Sequence, residues 1–259
     1  MRRMITTIVF IAAAIAPLTA AAQIVNIQPL LGPEDRPGFS AELKGGLSLY
    51  AGNVDLFTGN ATLLMRYQLG RHRIISTTDG ALAIKDDAQY INKLFSHLRH
   101  QIFFFDWFAW ETWVQGAENR FTRLSLRLLT GTGPRFDIVR NENVRFAMGI
   151  HYMFEFEQIT ADSASPGEDL EELNHRSNTY LTLTWNIVEG LSIQETVYVQ
   201  PKLTNPFADY RVSNEIQLIA KVTEHFGLGT SFQLRYDHAA PANVRALDTV
   251  TLATLTAAL

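Results

Sequence analysis

The sequence predicts an all-β protein, an antiparallel up-and-down transmembrane β-barrel of about twelve strands that follows an N-terminal signal peptide. Three observations predict this fold class. An uncharged apolar run follows two arginines at the N-terminus. Several later segments alternate strictly between apolar and polar residues for about ten residues or more, whereas soluble strands average about 5–6 residues. Beyond the leader, no apolar run reaches the roughly 18 residues that a membrane-spanning helix needs.

The leader has the three parts of a secretory signal peptide. Arg2 and Arg3 form a charged start. The residues from Met4 to Pro17 are mostly apolar, and the small residues Ala20-Ala21-Ala22 end the leader. We therefore predict a signal peptide over residues 1–22, an irregular periplasmic lead-in over residues 23–38 and an outer-membrane β-barrel over residues 39–259.

The composition agrees with a barrel. The chain has 26 acidic and 22 basic side chains, and two of the basic ones lie in the leader, so the mature chain is mildly acidic and has no basic surface for nucleic acid. It has no cysteine, which excludes disulfides and thiolate metal sites. Overall hydropathy is near neutral although the chain contains 16 Phe, 8 Tyr and 4 Trp, as expected when alternate residues are apolar.

Alternation is clearest in the segment VRFAMGIHYMFEF, from Val144 to Phe156. Phe146 and Phe154 lie on the face predicted to contact lipid, and His151 and Glu155 lie on the opposite face. The segments FTGNATLLMRYQL and FGLGTSFQLRYD alternate in the same way. Strands of this length suit a tilted crossing of a bilayer.

We predict twelve strands, with ten as the alternative count because the third, fourth and ninth alternate poorly. Their approximate centres are Leu47, Leu63, Ala81, His97, Thr112, Leu126, Ile150, Leu183, Val197, Gln217, Phe232 and Ala253. Short turns follow the second, sixth, eighth and tenth strands, and long connections follow the seventh, ninth and eleventh. The long connections thus follow only odd-numbered strands. This placement predicts a periplasmic N-terminus, short periplasmic turns and an extracellular acidic loop from Thr160 to Arg176.

Three motifs resemble those of the YdiY-like salt-induced outer-membrane protein family. They are GNVD at Gly52–Asp55, ENRFTRLSLRLLTGTGPRFDIV at Glu118–Val139 and VRFAMGIHYMFEFEQ at Val144–Gln158. In that family a GN-T/V-(D/E)-like element precedes a barrel, and an NRF…R…G-G-P/Y stretch leads to an x-G-x-x-Y-x-x-E-x-E strand. The resemblance covers most of the mature chain and implies an outer-membrane barrel of unknown activity. Such barrels usually end in Phe or Trp, whereas this chain ends in Leu259.

A polar cluster is predicted inside the barrel. Its members are Arg123, Arg127, Arg145, His151, Glu155 and Glu157. His151 and Glu155 share the inward face, which would allow a metal or acid–base site. We favour a structural ion-pair network that fills a narrow lumen, because the interiors of these barrels are polar. Counting back from the turn at residues 140–143 predicts that Arg127 lies opposite Glu155 or Glu157. We therefore expect Arg127→Ala to lower the stability of the barrel or to open conductance, and Glu155→Gln to have a similar but smaller effect.

Three other motifs receive structural interpretations. His97 and His100 are three residues apart and therefore point to opposite faces of a strand, which argues against a shared metal. The stretch Gly131–Pro134 lacks the lysine and helix of a phosphate loop and predicts a bulge or kink. The aromatic run Phe103–Trp110 could be a ligand platform, but a periplasmic-side aromatic girdle is the favoured interpretation.

The sequence thus predicts a structural or narrow-channel protein of the cell outer membrane, with no catalytic residue, cofactor or metal. Two alternatives remain open: a soluble periplasmic or secreted barrel that binds a small apolar ligand, and an outer-membrane enzyme that modifies lipids. The predicted partners are outer-membrane lipid and, during biogenesis, the barrel-assembly machinery and periplasmic chaperones. No nucleic-acid partner is predicted, and the expected state is a monomer.

Overall fold

The computed structural model describes residues 7–11, 26–28, 37–50, 56–85, 88–119, 124–160, 169–223, 226–240 and 245–258. The described residues form thirteen β-strands: β1 Thr7–Ile11, β2 Gly38–Tyr50, β3 Leu56–Leu69, β4 His72–Lys85, β5 Ala88–Phe105, β6 Phe108–Asn119, β7 Leu124–Arg140, β8 Val144–Ile159, β9 Glu171–Val188, β10 Leu191–Pro201, β11 Tyr210–Lys221, β12 Phe226–Asp237 and β13 Leu247–Ala258. Within these ranges no helix is long and apolar enough to span a membrane.

Twelve of the strands, β2 to β13, form an antiparallel meander in which each strand pairs with the next. This confirms the predicted all-β, up-and-down fold of about twelve strands. Each predicted strand centre lies inside one of these strands, including the three segments that alternate poorly. The strands have 11 to 18 residues, long enough for a tilted membrane crossing.

From β7 onward the connections alternate between short and long, as the loop lengths predicted. Two-residue turns join β3 to β4 at Gly70-Arg71 and β9 to β10 at Glu189-Gly190. Gly70 and Gly190 have φ values of 56° and 81°, a left-handed backbone that glycine adopts without steric cost. The longer connections, such as residues 160–170 and 202–209, lie at the opposite end of the meander.

The outer edge of the last strand pairs with β1 rather than with β2. Thr7–Ile11 runs antiparallel to β13, with Val9 opposite Thr256, and β2 lies at the other end of the sheet. Among the described residues, β2 and β13 are therefore not paired with each other. The segment TIVFI is mostly apolar and rich in β-branched residues, which suits it to pairing with an exposed strand edge. Cleavage of the leader that contains β1 stays a prediction.

The sheet is inverted in polarity relative to a soluble protein. Among the described residues, 21 buried side chains are polar or charged and 12 are hydrophobic. The outer face carries exposed apolar side chains; Leu47, Leu128 and Ile150 expose 79%, 44% and 44% of their surface. A polar interior and an apolar exterior are what a membrane-spanning barrel requires.

Aromatic side chains gather at the end of the barrel that carries the short turns. The predicted girdle Phe103–Trp110 spans the two-residue turn between β5 and β6. Trp107 is 56% exposed, and its ring stacks on Phe105 at 5.6 Å and on Phe136 at 6.4 Å. Such amphipathic rings suit the headgroup level of a bilayer.

Candidate functional site

The inner face of the barrel carries an ion network centred on Glu155, which is completely buried. Its Oε1 accepts hydrogen bonds from Arg127 Nε at 2.9 Å and from Arg211 Nη1 at 2.6 Å. Its Oε2 accepts one from Arg176 Nε at 2.7 Å. One carboxylate therefore joins three guanidinium groups from β7, β9 and β11.

Further carboxylates balance these arginines. Arg176 Nη1 donates to Asp209 Oδ1 at 2.7 Å, and Arg211 Nε donates to Asp237 Oδ2 at 3.0 Å. Arg211 Nη2 lies 3.5 Å from Glu157 Oε2. We call this set of seven residues the Glu155 network: Arg127, Glu155, Glu157, Arg176, Asp209, Arg211 and Asp237. Charge-assisted bonds of this kind are strong where water is excluded.

A second network surrounds Glu111, which is also fully buried. Its Oε2 lies 2.9 Å from Arg99 Nη1, accepts a hydrogen bond from the Tyr180 hydroxyl at 2.9 Å, and lies 3.2 Å from His151 Nε2. The side-chain amide of Gln101 donates to Glu111 Oε1. These partners come from β5, β8 and β9, so the Glu111 network ties together strands that are not neighbours.

The structure brings together half of the predicted polar cluster. Arg127, Glu155 and Glu157 are in contact, and Arg127 lies opposite Glu157 in the strand register. The pairing expected from counting back across the turn is therefore present.

The other three predicted residues lie apart from that contact. His151 belongs to the Glu111 network, and its Nδ1 accepts a hydrogen bond from Trp113 Nε1 at 3.1 Å. Arg145 is the second residue of β8, next to the turn after β7, and is exposed. Arg123 lies outside the described residues.

The sequence reasoning missed Arg176, Arg211 and Glu111. Glu111 and Arg211 have the inward parity of their strands, which the sequence shows. The predicted acidic loop includes Arg176, and this part of the prediction is wrong, because Arg176 belongs to β9. For β9 and β11 the sequence does not give the register, because long loops precede them and long loops do not fix which residues lie opposite each other. Glu111 meets His151 and Tyr180 on strands that are not neighbours of β6, and the alternation pattern does not predict such contacts.

Two glycines stand where His151 and Tyr180 of the Glu111 network approach closely. A Cβ atom built on Gly133 would lie 2.2 Å from the carbonyl oxygen of Ile150, and one on Gly149 would lie 2.2 Å from the Tyr180 ring. The bulge predicted at Gly131–Pro134 is absent, because the β7–β8 register continues unchanged on both sides of it. Close approach of neighbouring groups, and not a register shift, explains these glycines.

No group of three or more His, Cys, Asp or Glu side chains within the described ranges is placed to hold a metal ion. His97 is buried on the inner face, whereas His100 stacks on His72 on the outer face, with ring centroids 5.3 Å apart. The predicted separation of His97 from His100 is confirmed.

Three of the described residues of the predicted lead-in, Asn26–Gln28, lie inside the barrel, whereas Gly38 already belongs to β2. Ile27 is 1% exposed and packs against Leu64 and Ile75. A cavity beside Ile27 has a volume of about 20 Å³ and is also lined by residues that include His97, Arg99, Trp113 and Tyr198. A space of this size holds about one water molecule.

An apolar exterior, long meandering strands and a lumen filled by ion networks define the class of membrane-spanning β-barrels. The chain belongs to the DUF481 family, described as a protein family of unknown function, whose model matches residues 44–259. The comparison with curated proteins finds no match.

Several solved structures are similar in fold. A NanC porin is 10% identical, with a TM-score of 0.49 and coverage of 84% of this chain and 98% of that chain. A second porin is 8% identical, with a TM-score of 0.41 and coverage of 77% and 62%. The β domain of the Bordetella autotransporter BrkA is 8% identical, with a TM-score of 0.37 and coverage of 85% and 97%.

Proposed function

We propose that the protein is an outer-membrane β-barrel that forms a narrow polar channel and has no catalytic activity. The observation that carries this proposal is the inverted polarity of the barrel, in which buried arginines and carboxylates line the interior and exposed leucines cover the outside. Transmembrane barrels have polar interiors and an apolar outer band. The resemblance to YdiY-like salt-induced outer-membrane proteins supports a location in the outer membrane. We propose that the barrel is a monomer surrounded by lipid.

The polar interior distinguishes this proposal from a soluble barrel that binds an apolar ligand. Ligand pockets of soluble proteins are mostly apolar. Here Arg99, Arg127 and Glu155 occupy the interior, while Leu47 and Ile150 face outward. A soluble barrel would place these groups the other way round.

The ion networks also favour a structural role over an enzymatic one. Both oxygens of Glu155 are bonded to arginines, and both oxygens of Glu111 have close partners. A carboxylate held in this way is not positioned to exchange protons with a substrate. We therefore propose that these residues hold strands together across a narrow lumen.

We expect the mature protein to fractionate with the outer membrane and to migrate faster on a gel before boiling than after, because a closed barrel resists detergent. In planar bilayers, refolded protein should give small and infrequent conductance steps, because side chains fill the lumen. Recovery from the soluble periplasmic fraction, without any difference in gel mobility, would contradict the proposed location.

We expect the acidic loop to be extracellular. An epitope tag inserted between Ser163 and Glu168, outside the described residues, should bind antibody on intact cells, because every long connection lies at the same end of the meander. The matched control is the same tag in the turn Glu189-Gly190, which should bind antibody only after the outer membrane is permeabilised. The reverse pattern would invert the proposed orientation.

A further inference from the structure

A short segment near the start of the chain crosses the lumen. This lumen segment, Asn26–Gln28, is held in a compact turn by a hydrogen bond from the Gln28 backbone N–H to Asn26 Oδ1 at 3.0 Å. Ile27 and Gln28 expose only 1% and 4% of their surface. Such complete burial of a segment that belongs to none of the described strands needs contacts on several sides.

The contacts of the lumen segment come from opposite parts of the meander. Ile27 packs against Leu64 on β3 and Ile75 on β4. Gln28 Oε1 accepts a hydrogen bond from Arg135 Nη1 on β7 at 3.1 Å.

Asn26 completes the ring of contacts, because its Oδ1 accepts a hydrogen bond from the Tyr198 hydroxyl on β10 at 3.5 Å. A tripeptide that touches β3, β4, β7 and β10 of a twelve-strand meander lies across the barrel and not along one wall.

The site is chemically matched to its occupant. Leu64 and Ile75 are buried apolar side chains on an inner face that is otherwise mostly polar, and the partly buried Phe95 packs against the same cluster. Without Ile27, this apolar patch would face the water of the lumen, which is unfavourable. The flanking Arg135 and Tyr198 supply donors for the two amide side chains of the segment.

We propose that the inner surface formed by Leu64, Ile75, Phe95, Arg135 and Tyr198 is a docking site for the chain's own residues Asn26–Gln28, which plug the channel. This inference rests on the channel function proposed above. With the segment docked, the space beside Ile27 is about 20 Å³, too small for any solute larger than water. Cleavage after Ala22, as predicted, makes the segment positions four to six of the mature chain.

The first test uses Ile27→Ala in the refolded, full-length mature protein. Loss of a fully buried isoleucine side chain shifts the docking equilibrium by about tenfold or more, so the frequency of open-channel events in planar bilayers should rise by about that factor. The control is Ile138→Ala, which removes the same atoms from a side chain that is 54% exposed. The control should conduct like the unmodified protein.

The second test exploits the absence of cysteine from the natural chain. The double variant Ile27→Cys with Ile75→Cys should form one disulfide under oxidation, detected by mass, because the two residues pack together. Oxidation should abolish channel openings, and reduction should restore them to at least the level of the unmodified protein.

The two proposals fail in different ways. If the disulfide forms but no variant conducts in either redox state, the channel function is wrong and so is the sealing role of the segment. A second outcome combines three results: the unmodified protein conducts freely, Ile27→Ala conducts identically, and no disulfide forms. In that case the proposed plug is wrong and the channel function stands. A disulfide that forms without changing the conductance also overturns the plug.

Discussion

Replacing Glu155 with glutamine is expected to lower the free energy of unfolding by about 3–5 kcal/mol, the cost of leaving buried charges without their partner. Three arginines, Arg127, Arg176 and Arg211, donate to this one carboxylate. Glutamine keeps the shape but removes the charge and offers one acceptor oxygen in place of two. Urea unfolding in detergent or lipid, followed by the loss of heat-modifiable gel mobility, measures the effect.

The matched control is Glu189→Gln, which makes the same change at an exposed turn and should alter stability by less than about 0.5 kcal/mol. Arg127→Ala should cost less than Glu155→Gln, because Glu155 keeps Arg176 and Arg211. This order reverses the expectation from the sequence, which paired Glu155 with Arg127 alone. A larger effect of Arg127→Ala would show that Glu155 is not the centre of the network.

The sequence predicts local features of this barrel better than long-range ones. The Arg127–Glu157 register could be counted because β7 and β8 are joined by a short turn, and short turns fix register. The contact of Arg211 with Glu155 could not be counted, because it joins strands that are not neighbours. Alternation gives the face of each residue, but the curvature of the sheet decides which inward residues meet.

One departure of β4 from alternation has a physical explanation in the lumen. Ile75 breaks the inward polar pattern of that strand, and so does Leu64 on β3. Both are apolar because Ile27 packs on them. Apolar residues with inward parity in a polar barrel were therefore the available signal for the lumen segment, although the sequence alone does not say what covers them.

Gly133→Ala is expected to destabilise the barrel by about 1–3 kcal/mol, the usual cost of overpacking, and by more if the strands separate. The new Cβ would lie 2.2 Å from the carbonyl oxygen of Ile150 and 2.8 Å from Cα of His151. Both atoms belong to the backbone of the neighbouring strand, so no change of rotamer relieves the contact. His151 would also be displaced from Glu111, which weakens the second network.

The control for this prediction is Gly116→Ala, and it should change stability in the opposite direction. At Gly116 the nearest atom to a new Cβ is Leu128 Cδ2 at 3.7 Å, an ordinary contact. Neither glycine is among the described glycines with positive φ, so the φ angle itself allows alanine at both positions. An alanine that fits without strain stabilises a protein by about 0.4–1 kcal/mol, because the unfolded chain has fewer conformations to lose. Both changes in the free energy of unfolding are measured by the same urea titration. Changes of opposite sign would show that the lack of space for a Cβ atom, and not strand propensity, selects glycine at position 133. Changes of the same sign would contradict this explanation.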